Sequence, residues 1–371
     1  MSEPLTEEQR ELVQTVRALL AKHADHGARR KAMDSASGYD EGLWRLLCEQ
    51  VGVAALAIPE RFGGLGASLV ESHLVVEELG RVLAPTPMFG SVVLGAQLLL
   101  AVGDDDACAR LLPDIAAGAR HVAVCWAGDR GWDEPGVAAG TAGKLSGTAS
   151  YVMDGGFADV LLVVAQGADG LAVFEVDPAA AGVSRRTVAA MDPTRRLAVV
   201  EFHDVIGNRI GTSNTDAAVK RLWTIACAAL SAEQVGAADE CLRNTVEYTK
   251  SRVQFGRPIG SFQALKHRMA DLYVLVQAAR SASYAATAAL ASNATSAEEA
   301  AATAKVYCSD AFGAVAAESI QLHGGIAITW EHDAHLYFKR AHATAQLFGT
   351  PGYWVRRLGA SRTAGAEETL T

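Results

Sequence analysis

The sequence has little of what would take it out of a cell's reducing interior. Its 6 cysteines (Cys48, Cys108, Cys125, Cys227, Cys241 and Cys308) are scattered, with no Cys-x-x-Cys pair and no dense framework. Disulfides are therefore not expected, and a cytoplasmic setting is. Basic charge is scarce as well: a net charge of -9 leaves no general positive surface for nucleic acid. The opening "MSEPLTEEQRELVQTVRALL" is polar and acidic and lacks the basic flank and apolar core of a signal peptide. Long apolar runs are missing too, since stretches such as "SVVLGAQLLLAVG" are too short and too interrupted to span a bilayer. No internal repeat is found.

What remains, 50% hydrophobic and 20% charged, is the composition of a globular protein. Its 371 residues exceed what one core usually holds, so two or three domains are expected. Over residues 5–24, Leu12, Val16, Leu19 and Leu20 recur at helical spacing, with Thr6 as N-cap and Glu8 and Gln9 in the first turn. A second helix is expected around Leu43 to Val51, ended by the glycine-rich "IPERFGGLG". Helical patterns resume in "SLVESHLVVEELGRVL" and "SVVLGAQLLLAV", giving a helical domain over 1–120.

Composition then shifts. Over 121–213 the short apolar runs "VAVCWA", "DVLLVVA", "LAVFEVD" and "LAVVEFHDV" are bounded by turn residues and read as strands of a compact antiparallel barrel or sandwich. Over 214–371 the helical period returns. Leu265, Met269, Leu272 and Val276 fall on one face, and alanine-rich segments such as "AAATAKVYCSDAFGAVAAESIQL" let long helices approach closely. A four-helix bundle is expected there.

The stretch "SRVQFGRPIGSFQALKHRMADL" joins two of these helices through a Gly-Pro turn. It resembles the Arg-x-x-Phe-Gly-x-Pro signature of the acyl-CoA dehydrogenase family. "IPERFGGLGASLVE" is similar to that family's N-terminal loop, and "QLHGGIAITWEHDAHLYFKRA" to its Gln-x-x-Gly-Gly segment. The resemblance covers essentially the whole chain. It implies a mainly α fold with an inserted β-domain: N-terminal helices, a middle β-barrel and a C-terminal four-helix bundle. It further implies FAD stretched between two subunits, with the flavin on one subunit's β-domain and the adenine half on its neighbour's bundle. Carried over by position, Arg252, Gln254, Phe255, Gln321, Gly324 and Gly325 would hold that adenine half. These residue types suit such a ligand, with a guanidinium for the pyrophosphate, an amide, and glycines that let the dinucleotide approach the backbone.

The same resemblance exposes departures. The family's chemistry needs a carboxylate to take the α-proton of an acyl-CoA. The usual position of that base, before the Gly-Thr at the end of "RAHATAQLFGT", holds Phe348; the alternative position, on the first bundle helix, falls on Ala226. Neither side chain accepts a proton. Beside Ala226, where an arginine often helps to hold the thioester, stands Cys227. The loop assigned to the flavin reads "WAGDRGWDEPGV", which keeps Glu134 and Pro135 but loses the small polar ending. The aromatic-Ile-Thr triplet packed on the flavin is replaced by Tyr151, Val152 and Met153, so the hydroxyl facing flavin N5 is lost.

Other candidates are weaker. Glu233, on the helix of Ala226, lies two turns along, about 10 Å away at the helical rise, and Glu240 is farther still. His332 and His335 lack a third ligand at matching spacing, so no metal site is expected. "GGLGAS" follows no strand and is rejected as a dinucleotide loop. Arg195 and Arg196 read as a solvated turn. The expectation is a base-lacking subunit of a heterotetrameric (α2β2) acyl-CoA dehydrogenase that shares FAD with a homologous partner. The acyl-CoA, a bulky or steroid side-chain thioester among the options, would sit in the partner's site, with an electron-transfer flavoprotein as candidate acceptor. The alternatives are a self-sufficient homotetramer with a relocated base, and a cofactor-free interaction protein on the same fold.

Overall fold

The computed structural model describes residues 5–211 and 215–368. The order of elements is helical, then β, then helical, as expected. Helices α1 (Glu7–His23), α2 (His26–Asp34), α3 (Glu41–Val51), α4 (Leu69–Arg81), α5 (Gln97–Val102) and α6 (Asp105–Ala116) come first. Thr6 caps α1 in a reciprocal box: its hydroxyl accepts from the Gln9 amide at 3.2 Å while the Gln9 side chain accepts from the Thr6 amide at 3.1 Å. Ahead of α5 the chain winds through a wide π-type segment, Met88–Ala96, all of it buried.

The β-region holds β1 (Val122–Cys125), β2 (Ala127–Gly128), β3 (Gly131–Pro135), β4 (Val137–Ala139), β5 (Lys144–Met153), β6 (Val160–Gly167), β7 (Gly170–Val176), β8 (Val183–Thr187), β9 (Leu197–Ile206) and β10 (Asn208–Ile210). Eight of these form one sheet in the order β10-β7-β6-β4-β5-β9-β8, with β1 also paired to β6. The antiparallel expectation needs correcting: β1 and β4 both run parallel to β6. Side chains from both halves of the sheet, among them Cys125, Leu161, Val163, Phe174, Val200 and Phe202, share one buried core, so the sheet curls over itself.

The C-terminal helices are α7 (Thr215–Ser251), α8 (Gln263–Ala291), α9 (Ala297–His323), α10 (Ala334–Gln346) and α11 (Pro351–Glu368). Both α10 and α11 pack on α9. They are separate helices because Phe348 and Gly349 take φ of 57° and 97°, where no right-handed helix continues. Leu272 and Val276 are buried and Leu265 and Met269 half-buried, so the expected face of α8 does point inward. Glycine lets α4 and α7 touch: a Cβ at Gly236 would stand 1.9 Å from the Glu77 carbonyl, and one at Gly80 would stand 2.4 Å from that of Glu233.

The chain divides into two compact bodies. One comprises residues up to Val13, His73–Ala84 and the chain from Cys227; the other comprises Gln14–Ser72 and Pro85–Ala226. The expected boundary at 213/214 lies outside the described residues. No helix among the described residues is long and apolar enough to cross a membrane.

Candidate functional site

In the body that contains α8 and α9, the signature stretch becomes a projecting hairpin. β11 (Val253–Gln254) pairs with β12 (Arg257–Pro258), Gln254 opposite Arg257, which leaves a two-residue turn at Phe255 and Gly256. Both turn residues have positive φ, 53° and 75°, as a type I′ turn requires. Glycine adopts this freely; phenylalanine does so at a cost of about 1–2 kcal/mol. Yet Phe255 is 90% exposed, and its ring meets that of Phe262 edge-on at 6.3 Å. A core role for Phe255 is thereby ruled out. A strained aromatic left this exposed at a hairpin tip gains little within its own chain, which directs attention to what lies outside it.

Arg252, Gln254 and Gln321 are exposed as well. One contact ties the two segments together. Tyr248, in the last turn of α7, donates to the carbonyl of His323 at 3.2 Å and stacks on its ring at 4.3 Å, and His323 ends α9 immediately before Gly324. The tie brings Arg252, four residues beyond Tyr248, to the same end of the body as Gly324 and Gly325. At Gly324 the backbone takes φ 66° and ψ -146°, a region reserved for glycine. Gly325 has no positive φ to require glycine, and a Cβ there would meet nothing within 4 Å of its own chain. Its smallness has no internal cause and fits a ligand that approaches the backbone from outside. Neither the π-stack of Tyr248 and His323 nor the turn strain at Phe255 is legible from residue type alone. On these observations the six residues suit the adenine half of FAD.

The residues of the expected catalytic positions are sealed. The Phe348 side chain is buried, 3% exposed, and its carbonyl accepts from Trp354 Nε1 at 2.9 Å. Ala226 is fully buried, and burial pushes the neighbouring Cys227 thiol up to about 12, so it stands as a neutral thiol. The carboxylates weighed as a relocated base are engaged elsewhere. Glu233 and Arg340 form a buried ion pair at 2.9 Å, and Glu240 pairs with Arg243 and lies 3.7 Å from Arg81. The His332 ring lies tilted against that of His323 at 4.5 Å, and His335 lies edge-on to Trp330 at 4.8 Å. Among the described residues no group of three or more potential metal ligands is found.

Lys305 carries no signal in the sequence that would single it out. Within an alanine-rich helix it is wholly buried, and its ammonium donates to Ser309 Oγ and to the Ala345 carbonyl, each at 3.1 Å. Gln234 joins the same cluster by donating to Ser309 Oγ and Thr344 Oγ1 at 3.1 Å. The ammonium sits at the negative end of α10, close before the turn that holds Phe348. Burial lowers its pKa from 10.5 to about 8. Because the unfolded chain then binds the extra proton more readily, the penalty is full below pH 8 and is relieved as pH rises toward 10.5. Wild type should therefore gain stability relative to Lys305→Met across that window, by a few kcal/mol. Paired urea titrations at pH 7.5 and pH 10 measure it; parallel shifts in the two proteins would refute it.

The other body holds the loop and strand that the resemblance assigns to the flavin ring. Met153 is buried and its neighbour Asp154 too, whose carboxyl burial raises to about 7 against the opposing pull of Arg195. The solvated-turn reading of Arg195 and Arg196 is corrected. Arg195 lies over the Phe89 ring at 5.1 Å, and Arg196 donates to the Met33 and Ser35 carbonyls at 2.7 and 3.0 Å. Tyr151 sits at a bulge between Ala149 and Val152, with φ 56° and 49% exposure. The hairpin of β2 and β3 lays Trp132 on it, ring centroids 5.8 Å apart and planes 27° apart. A flavin ring does not fit where this chain's own indole already lies on the tyrosine. The two halves of the expected cofactor site thus differ: one is open, the other has an indole of this chain laid on its tyrosine.

Comparison with known proteins agrees with the motifs. The acyl-CoA dehydrogenase N-terminal domain model matches residues 6–119, and the acyl-CoA dehydrogenase C-terminal domain model matches residues 203–361. The chain is 46% identical over 355 residues to the acyl-CoA dehydrogenase IpdE2 of Mycobacterium tuberculosis, covering 95% of this chain and 96% of that protein. Among solved structures it is similar to the ChsE4-ChsE5 complex from Mycobacterium tuberculosis, with a TM-score of 0.90, 31% identity and coverage of 98% and 99%. It is also similar to a variant of the Tcur3481-Tcur3483 steroid ACAD, with a TM-score of 0.89, 32% identity and coverage of 97% and 99%.

Proposed function

The chain belongs to the acyl-CoA dehydrogenase family of FAD-dependent oxidoreductases, and from that premise we propose that it is the base-lacking subunit of an α2β2 assembly. The observation that carries this is the pair of sealed base positions, Phe348 and Ala226, in a chain whose six candidate adenine-half residues are all exposed. Bound FAD supplies the hydride acceptor. This chain's part is to hold: Arg252 and Gln321 toward the pyrophosphate and adenine, Gly324 and Gly325 by giving way, Gln254 and Phe255 from the hairpin. The α-proton is taken by a carboxylate of the partner, a homologous dehydrogenase subunit, in whose site the acyl-CoA lies. Large apolar side chains left exposed on the α8–α9 body, among them Phe255, Tyr273, Val274, Ile328 and Trp330, favour a protein partner.

The two structural relatives are a two-protein complex and a steroid ACAD of two named chains, which supports a paired assembly and a bulky, steroid-type thioester. We propose in addition a division at 1–120, 121–213 and 214–371, a cytoplasmic location, and an electron-transfer flavoprotein as acceptor.

Co-expression with a homologous dehydrogenase subunit tests the reading. The complex is expected to be yellow and active with about half the FAD of a homotetramer, and the chain alone colourless and inactive. A yellow, active chain alone would favour a homotetramer with a relocated base; a stable complex without flavin would favour an interaction protein.

A further inference from the structure

From the stacking of Trp132 on Tyr151, we infer that this chain plugs its own flavin half-site: the indole occupies the aromatic platform and excludes an isoalloxazine ring from it. The inference rests on the function proposed above and names the device that would limit FAD to the partner's sites.

Three features hold the plug in place. First, the hairpin is short and closed: β2 and β3 pair Gly128 with Gly131, Gly131 takes φ 89°, and Arg130 pairs with Glu134 across the turn. Second, Trp132 is gripped from behind. Its carbonyl accepts from Trp126 Nε1 at 2.8 Å, its ring meets Trp223 edge-on at 5.8 Å, and Trp223 meets Trp126 in the same manner at 5.3 Å. Third, the platform is turned to meet it. The bulge at Tyr151 breaks the β5–β9 register and forces a left-handed backbone on a residue that is not glycine. A strand bulge re-aims the side chain it carries, and here the re-aimed ring receives the indole. The platform offers a flat apolar face, and a ring stacked on it leaves no room on that face for a second. Loss of the family's hydroxyl at Met153 fits a site that no longer has a flavin to address.

The test uses the assembled complex with the partner's sites saturated with FAD, so that only this chain's half-site is open to a probe. The probe is lumiflavin, the isoalloxazine ring without its ribityl chain, counted by equilibrium dialysis. Trp132→Ala is expected to bind lumiflavin about tenfold more tightly than wild type, the ratio set by removing one competing aromatic pair. Trp132→Phe keeps a flat ring on Tyr151 and should stay close to wild type. Trp132→Leu, which retains bulk against Trp223 but no flat face, should behave as Trp132→Ala and serves if the alanine variant unfolds. Equal lumiflavin affinity in wild type and the folded Ala or Leu variant overturns the plug and leaves the proposed function standing. A wild-type assembly with four FAD per tetramer overturns both.

Discussion

Replacing Arg252 by alanine in the assembled complex is expected to weaken FAD retention by about 10- to 100-fold while the assembly itself stays intact. The magnitude follows from the loss of charge-assisted hydrogen bonds to a diphosphate, about 1.5–3 kcal/mol. The side chain is exposed, and among the described residues its guanidinium makes no hydrogen bond or ion pair. Its removal therefore takes nothing from the fold. The neighbouring backbone is held independently, by the Arg252 amide donating to the Tyr248 carbonyl and the Ile259 amide donating to that of Arg252, both at 2.8 Å. Flavin released on ultrafiltration gives the affinity, and gel filtration gives the assembly state. Arg252→Lys should recover part of the loss, because a point charge remains but the planar fork does not. FAD retention unchanged by Arg252→Ala would remove this chain from the cofactor site. Dissociation of the complex would mean that the guanidinium serves the interface instead.

Much of the fold can be read from local pattern, and the misses have physical causes. The four apolar runs of the middle region are all strands in the structure. β5, "KLSGTASYVM", escapes detection because two bulges break its alternation, and β8, "VSRRT", because an exposed edge strand carries no apolar period. Helix α2 is short and α6 carries a proline, Pro113, within it, and pattern alone places both in a helical region without resolving them. At the proposed site, motif spacing picks out the residues that the resemblance assigns to the adenine half, but it does not tell that Phe255 is exposed. A phenylalanine ahead of a glycine carries no mark of an exposed turn until the positive φ at both positions is seen. The plug is invisible for a different reason. Trp126, Trp132 and Trp223 are not neighbours in sequence, and only the fold gathers them around Tyr151.

Glu233→Gln should cost stability and spare turnover, and the separation of those two effects decides whether this chain hides a base of its own. Glu233 and Arg340 are 2.9 Å apart with side chains only 8% and 4% exposed. Removing one charge of a buried pair strands the other in a medium that solvates it poorly, at a cost of about 3–5 kcal/mol. The pair also ties α7 to α10 at the point where the α4 backbone crosses α7, because Gly80 leaves space for the Glu233 main chain. Loss of the carboxylate should lower the urea midpoint markedly. A catalytic base would behave otherwise: an isosteric amide would leave the midpoint nearly unchanged and cut turnover by about 10²- to 10⁴-fold. The assay compares activity per bound FAD in the complex well below the melting temperature, so that unfolded material does not count. A double replacement of Glu233 and Arg340 by leucine and methionine should recover part of the stability, since an apolar pair of similar volume needs no desolvation. Undiminished stability with lost activity in Glu233→Gln would overturn the assignment and make this acid the missing base.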